Sequence, residues 1–167
     1  MTVSTRATGA RTGLQSAALA TGVLFLLVGV LGFIPGITSD YETLGMAGHG
    51  SRALLFGVFQ VSVLHNIVHL AFGAAGVLLA RTHPQARSFL IYGGVIYLTL
   101  WLYGLLVGDE TPANFVPANG PDNWLHLALG LAMIILAILL SPRIIPRTTR
   151  TTRTTPEPPH GEAADAT

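Results

Sequence analysis

Four long apolar runs limit what this chain can fold into. They lie near residues 16–37, 56–80, 88–107 and 122–141. A helix needs about 20 mostly apolar residues to cross a hydrocarbon layer about 30 Å thick, and each run meets that requirement. Charged residues make up only 10% of the 167 residues, too few to cover the surface of a soluble domain. The sequence therefore predicts an all-α membrane protein with four transmembrane helices and argues against a soluble enzyme.

The arginines indicate the direction in which the chain crosses the membrane. Positively charged short loops are retained on the cytoplasmic side. Eight of the nine arginines fall before the first run, between the second and third runs, or after the fourth. The two loops on the opposite side hold a single arginine, Arg52, and five of the eight acidic residues: Asp40, Glu42, Asp109, Glu110 and Asp122. We therefore expect both termini in the cytoplasm and the acidic loops outside.

The chain divides into one transmembrane domain and two tails. Residues 16–142 hold the four spans, and residues 1–15 form a short amino-terminal tail on the cytoplasmic side. Residues 143–167 repeat Arg-Thr-Thr and continue with Thr-Pro-Glu-Pro-Pro, a composition too poor in apolar residues to fold alone. This second tail is predicted to be disordered and cytoplasmic.

Composition and motifs exclude several classes of function. The chain has no cysteine, which rules out disulfides, thiolate metal sites and thiol catalysis. A net charge of +1 removes the cationic field that is typical of a nucleic-acid binder. No serine stands in a G-x-S-x-G motif or at a recognisable hydrolase spacing from a His and an Asp. We therefore predict neither enzyme activity nor a nucleic-acid partner.

The second and fourth runs carry the same polar motif. At an offset of 57 residues, N-x-x-H-L-A-x-G occurs at Asn66–Gly73 and again at Asn123–Gly130. The first and third runs align more weakly at an offset of 72, where glycines match in pairs: Gly22 with Gly94, and Gly32 with Gly104. The simplest arrangement of such copies is two parallel helical hairpins related by a pseudo-two-fold axis along the membrane normal.

The repeated motif predicts a polar layer inside the bundle. Its Asn, His and Gly fall at positions i, i+3 and i+7, which form one stripe along a helix. Asn and His are costly against lipid, so this stripe is expected to face inward, in the outer half of the bilayer. The predicted layer comprises Asn66, His69, Asn123 and His126, and the glycines expected at helix contacts are Gly73, Gly76 and Gly130.

Three stretches around these motifs resemble a known protein family. They are G-V-x-F-L-x-x-G-x-L-G at Gly22–Gly32, Leu55–Phe59 followed by His65–Leu70, and Asn114–Leu127. In this order they are similar to an uncharacterised actinobacterial membrane family, domain of unknown function 4383, whose members look like four-span proteins. One departure is Gln60-Val61-Ser62, where a Pro-Val-Asn-like tripeptide would match Pro117–Asn119. The resemblance implies a location in the bacterial plasma membrane and supplies no known reaction.

Three interpretations of the polar layer are open. The first is a structural or interaction role, in which Asn and His bond between helices and the partner is lipid, another membrane protein or a second copy of the chain. The second is a metal or haem site with four candidate ligands, His65, His69, Asp122 and His126, because imidazoles at i and i+4 stand one above the other. The third is a transport or proton-relay component acting as an oligomer. The sequence favours the first, without a cofactor.

Overall fold

Four α-helices form the framework of residues 11–107, 111 and 113–141, the part of the chain that a computed structural model describes. They are α1 (Gly13–Leu31), α2 (Val63–Leu79), α3 (His83–Leu106) and α4 (Gly120–Leu139). Three of them, α1, α3 and α4, are long and apolar enough to cross a membrane, whereas α2 has 17 residues and is shorter. The prediction of a helical fold with helices long and apolar enough to span a membrane is therefore confirmed for α1, α3 and α4. Residues 1–10 and 143–167 of the predicted tails lie outside the described residues.

Capping side chains mark the starts of α1, α2 and α4. The Ser62 hydroxyl accepts a hydrogen bond from the amide of His65 (3.1 Å), so α2 begins at Val63 and not at residue 56. The Thr12 side chain starts α1 in the same way, and α1 ends at Leu31, before the predicted boundary at 37. A side chain that satisfies the free amides of the first turn fixes a helix start, and the hydropathy of the run does not.

A small antiparallel sheet lies between α1 and α2, and its last strand occupies the predicted start of the second span. Its strands are β1 (Thr38–Ser39), β2 (Leu54–Leu55) and β3 (Phe59–Gln60), in that order across the sheet. In the turn between β2 and β3, Phe56 and Gly57 have left-handed φ angles of 54° and 70°. A tight hairpin turn of this kind interrupts a helix even where the surrounding residues are apolar.

The helices pack in two pairs, α1 with α2 and α3 with α4. Glycine allows the backbones of each pair to approach closely. A Cβ atom added to Gly73 would lie 2.7 Å from the carbonyl oxygen of Gly22, and one added to Gly130 would lie 3.0 Å from that of Gly94. The same glycine contact therefore occurs in both pairs. Gly94 of α3 follows Gly22 of α1 by 72 residues, and Gly130 of α4 follows Gly73 of α2 by 57 residues.

The surroundings of these glycines also correspond. The Cγ atom of Leu26 would lie 2.8 Å from a Cβ on Gly73, and the Cγ atom of Leu98 would lie 2.8 Å from a Cβ on Gly130. Gly76 makes a different contact, because a Cβ there would lie 2.7 Å from the Cα of Gly22 and 2.7 Å from the ring of Phe89. Gly76 therefore lies where α1, α2 and α3 meet.

Replacing Gly73 by alanine tests the close approach of α1 and α2. The new methyl group would lie 2.6 Å from the backbone nitrogen of Leu26, which can move only if the helices separate. Overpacking of this kind costs about 1–3 kcal/mol, so we expect Gly73→Ala to lower the midpoint of thermal unfolding in detergent, followed by circular dichroism. The control is Gly120→Ala, whose added Cβ meets no atom within 4 Å. An equal or smaller loss for Gly73→Ala than for Gly120→Ala would contradict the packing described.

Candidate functional site

Two aromatic rings meet at the centre of the bundle. Phe25 of α1 and Tyr97 of α3 are stacked, with ring centres 5.2 Å apart and an angle of 22° between the ring planes. Both side chains are buried in the core cluster that joins the two helix pairs. They also occupy matching positions at the 72-residue offset. The offset is visible in the sequence, but nothing in the sequence places these two rings in contact.

One histidine packs against each of these central rings. His69 of α2 stacks on Phe25 with ring centres 5.6 Å apart, and His126 of α4 meets Tyr97 edge to face at 5.4 Å. A chain of ring contacts therefore runs from His69 through Phe25 and Tyr97 to His126. The two histidines of the repeated motif are buried and belong to one cluster that includes all four helices.

His65 enlarges this cluster on the α2 side. Its ring centre lies 4.4 Å from that of His69, as expected for residues one helical turn apart. The Nδ1 atoms of His65, His69 and His126 are buried and have no hydrogen-bond partner among the described residues. A buried polar atom without a partner costs about 1–3 kcal/mol. These three nitrogens are therefore the atoms of the cluster that would gain most from an added hydrogen-bonding group.

Two cavities adjoin the cluster, with volumes of about 210 and 160 Å³. Four side chains line both cavities and are termed the histidine group: His65, His69, Tyr97 and His126. The rest of the larger cavity is lined mainly by apolar side chains of α1, α4 and the β2–β3 hairpin. The smaller cavity is lined by apolar side chains of α2, α3 and the segment before α4. The histidine group thus borders two cavities whose walls are mainly apolar.

The two asparagines of the repeated motif lie apart from these cavities. Asn66 is fully buried, and its amide occupies the space beside Gly32 at the end of α1. The amide of Asn123 occupies the corresponding space beside Gly104 near the end of α3. Neither asparagine lines either cavity. The predicted polar layer is therefore divided between one histidine group and two asparagine contacts, each within a helix pair.

Asp122 is buried and joins the start of α4 to the hairpin. Its Oδ2 atom accepts hydrogen bonds from the backbone amides of Gln60 (2.9 Å) and Asn119 (3.0 Å). The Asn119 side chain completes a capping box with Asp122 and donates to the carbonyl of Val58 over 2.8 Å. Two side chains thus hold β3 and the turn before it against the amino-terminal end of α4.

The metal hypothesis gains no support from this arrangement. Within residues 11–107, 111 and 113–141, no group of three or more His, Cys, Asp or Glu side chains is placed to hold a metal ion. The Asp122 carboxylate already binds two backbone amides. A site formed by His65, His69, Asp122 and His126 therefore stays a prediction from spacing.

Comparison with known families covers almost the whole described helical domain. The family described as Domain of unknown function (DUF4383) matches residues 15–139. The chain belongs to this family. The resemblance expected from the sequence is thereby confirmed, and the DUF4383 match includes the histidine group and both glycine contacts. Searches of curated proteins and of solved structures found no match. DUF4383 membership therefore brings no known activity to the site.

Substitution of Asp122 tests its capping role in this DUF4383 protein. Asp122→Asn keeps an oxygen that accepts from both amides, whereas Asp122→Ala removes it and leaves a cap unmade. We expect Asp122→Ala to lower the free energy of unfolding by about 1–2 kcal/mol and Asp122→Asn to change it less. Denaturant titration in detergent measures both, with Glu42→Ala on the exposed part of the loop as the control. Equal losses for the Asn and Ala variants would argue against the capping role.

Proposed function

We propose that this DUF4383 protein is a multi-pass protein of the bacterial plasma membrane with a structural role, presenting a rigid apolar surface to lipid or to another membrane protein. The observation that carries the proposal is the apolar outer face of every helix. At least two large apolar side chains on each helix are half exposed or more, and one from each is Leu27, Ile67, Leu102 and Ile138. Exposed apolar surface of this extent is typical of contact with a membrane, since acyl chains are as apolar as leucine.

We propose further that α2 crosses the membrane together with the three longer helices. Its 17 residues span about 25 Å, somewhat less than the roughly 30 Å hydrocarbon layer. The β2–β3 hairpin continues the apolar surface beyond the start of α2, since Phe56 and Val58 are exposed there. Contacts at two levels, Gly22 with Gly73 and Gly32 with Asn66, support an antiparallel course of α1 and α2.

The two helix pairs are, in this proposal, duplicated units related by a pseudo-two-fold axis along the membrane normal. Matching contacts support the duplication, both between glycines and between aromatic rings: Gly22–Gly73 and Gly94–Gly130, Phe25–His69 and Tyr97–His126. Phe25 and Tyr97 are counterparts at the 72-residue offset and stack on each other. Counterparts that touch are expected on the axis itself.

The proposed orientation places both termini in the cytoplasm. The start of α1 and the junction of α2 and α3 meet at one end of the bundle, where the Gln15 side chain donates to the carbonyl of Arg81 over 2.7 Å. The end of α4 reaches the same region, because Arg87 donates to the Ser141 hydroxyl over 3.0 Å. An end that carries arginines is retained inside. A transport or proton-relay role stays a prediction from the sequence.

Single cysteines test the proposed topology, because the chain has none of its own. Met46→Cys lies in the exposed part of the loop proposed to be outside, and Thr82→Cys lies at the exposed junction of α2 and α3. In intact cells we expect a membrane-impermeant maleimide to label Met46→Cys and to reach Thr82→Cys only after permeabilisation. The unmodified protein is the control for background. Labelling of Thr82→Cys in intact cells with protection of Met46→Cys would reverse the proposed orientation, and labelling of both would contradict a crossing by α2.

A further inference from the structure

We propose that the two cavities beside the histidine group are binding sites for hydrocarbon chains, and that each holds part of one acyl chain of a membrane lipid. This role rests on the proposed location in a membrane. It adds that two lipid chains occupy defined places between the helices, whereas other lipids only cover the outer surface. It does not depend on the direction in which the helices cross the bilayer.

The walls of both cavities favour a ligand without polar atoms. Apolar side chains form most of the lining, and the Nδ1 atoms of His65, His69 and His126 are buried with almost no accessible surface. Asp122 lines the larger cavity, but its Oδ2 atom accepts from two backbone amides. Among the described residues no arginine lines either cavity, and the chain contains no lysine. A polar or charged group moved into such surroundings would lose its hydrogen bonds to water, so a hydrocarbon is favoured.

The volumes of the cavities match a segment of a hydrocarbon chain. They are about 210 and 160 Å³, and an apolar cavity of about 150 Å³ is large enough to admit benzene. Each cavity therefore has room for about six carbon atoms. The acyl chain of a membrane lipid is longer than this segment, so the rest of the chain has to leave through an opening.

Both cavities open on the apolar outer surface of the protein. Three large apolar side chains in the lining of each cavity are also exposed: Leu24, Phe56 and Leu125 at the larger cavity, and Leu64, Val68 and Phe115 at the smaller. A chain segment inside can therefore continue along the outer surface, where the surroundings are acyl chains in the proposed membrane location. A closed cavity would admit a small solute only, so the opening favours the chain of a lipid.

The two cavities lie at the same depth along their helices. Leu125 lies five residues after Gly120, the first residue of α4, and Val68 lies five residues after Val63, the first residue of α2. Five residues correspond to about 8 Å along a helix. The lipid headgroup then stays near the level at which α2 and α4 begin, and the part of the acyl chain next to the headgroup enters the cavity.

The linings of the two cavities correspond in the repeated sequence. Three pairs of counterparts place one member in each cavity: Val28 and Leu100 at the 72-residue offset, and Phe59 with Val116 and Leu125 with Val68 at the 57-residue offset. A chance gap in the packing is not expected to recur between matching residues of two different helix pairs. The recurrence therefore favours two related sites, one for each of two chains.

Photolabelling from inside the bilayer tests both sites. The full-length protein is reconstituted in phosphatidylcholine vesicles that contain a phosphatidylcholine with a diazirine in its acyl chain near the glycerol. After irradiation, mass spectrometry of peptides locates the labelled residues. We expect label on Leu129 in the larger cavity and on Leu100 in the smaller, two half-buried side chains, in addition to the exposed Leu27 and Ile138.

Filling the larger cavity separates a chain held inside from lipid at the surface. Val28→Phe adds volume to the cavity from α1, and we expect it to reduce the label on Leu129 about tenfold, because the added ring occupies the space of the chain. Label on Leu100 should stay unchanged. Val23→Phe makes the same change on the exposed side of α1 and should alter neither label. Leu125→Phe adds volume from α4 and replaces Val28→Phe if circular dichroism shows that variant to be unfolded.

The reciprocal variant fills the smaller cavity. Val116→Phe is expected to reduce the label on Leu100 about tenfold and to leave the label on Leu129 unchanged. Undiminished label on the cavity residue in a folded cavity-filling variant would overturn the proposal, because that label would then come from lipid at the outer surface.

The pattern of labelling distinguishes this proposal from the proposed location in a membrane. Label on Leu27 and Ile138 without label on Leu129 and Leu100 would overturn the acyl-chain sites and leave the membrane location intact. Label on none of these four residues would contradict both. Xenon binding, followed by ¹²⁹Xe NMR of the same vesicles, identifies the other apolar occupant. If the cavities bind xenon and the diazirine labels neither cavity residue, they hold a small solute and the proposal is overturned.

Discussion

The close approach of helix backbones at glycine is the constraint on which the rest of the structure depends. Helices in lipid gain little from burying apolar surface against one another, so they associate through van der Waals contact and interhelical hydrogen bonds. Glycines in both members of each pair let α1 approach α2 and α3 approach α4. The two pairs then meet where Phe25 stacks on Tyr97, and one imidazole packs against each of these rings.

Hydropathy predicted the helices, and side-chain caps mark where α1, α2 and α4 begin. Apolar residues continue from Leu54 into α2, so composition alone could not separate a hairpin from a helix. The separation depends on two left-handed residues, Phe56 and Gly57, and on the hydroxyl of Ser62. Left-handed geometry at Phe56 is sterically unfavourable and carries no sequence signature, which is why the predicted span began too early.

The repeated N-x-x-H motif identified His69 and His126, but it did not show what each polar residue does. The asparagine amides lie beside Gly32 and Gly104 of the neighbouring helix, and Asp122 accepts from the distant amide of Gln60 as well as from the nearby amide of Asn119. Both arrangements include atoms that are far away in sequence. In the proposed duplication, the two copies differ where Phe25 corresponds to Tyr97 and His65 corresponds to Asp122. These differences lie at or beside the histidine group, which lines both cavities.

The central claim is that the two glycine-packed helix pairs meet where Phe25 stacks on Tyr97. A distance measurement between these two rings tests it most directly. Magic-angle-spinning NMR of the protein in lipid bilayers, with ¹³C-labelled phenylalanine and tyrosine, reports such a contact through a cross-peak assigned to this pair. The account predicts a cross-peak consistent with ring centres 5.2 Å apart. A folded protein in which this cross-peak is missing and both rings instead correlate with lipid acyl chains would contradict it.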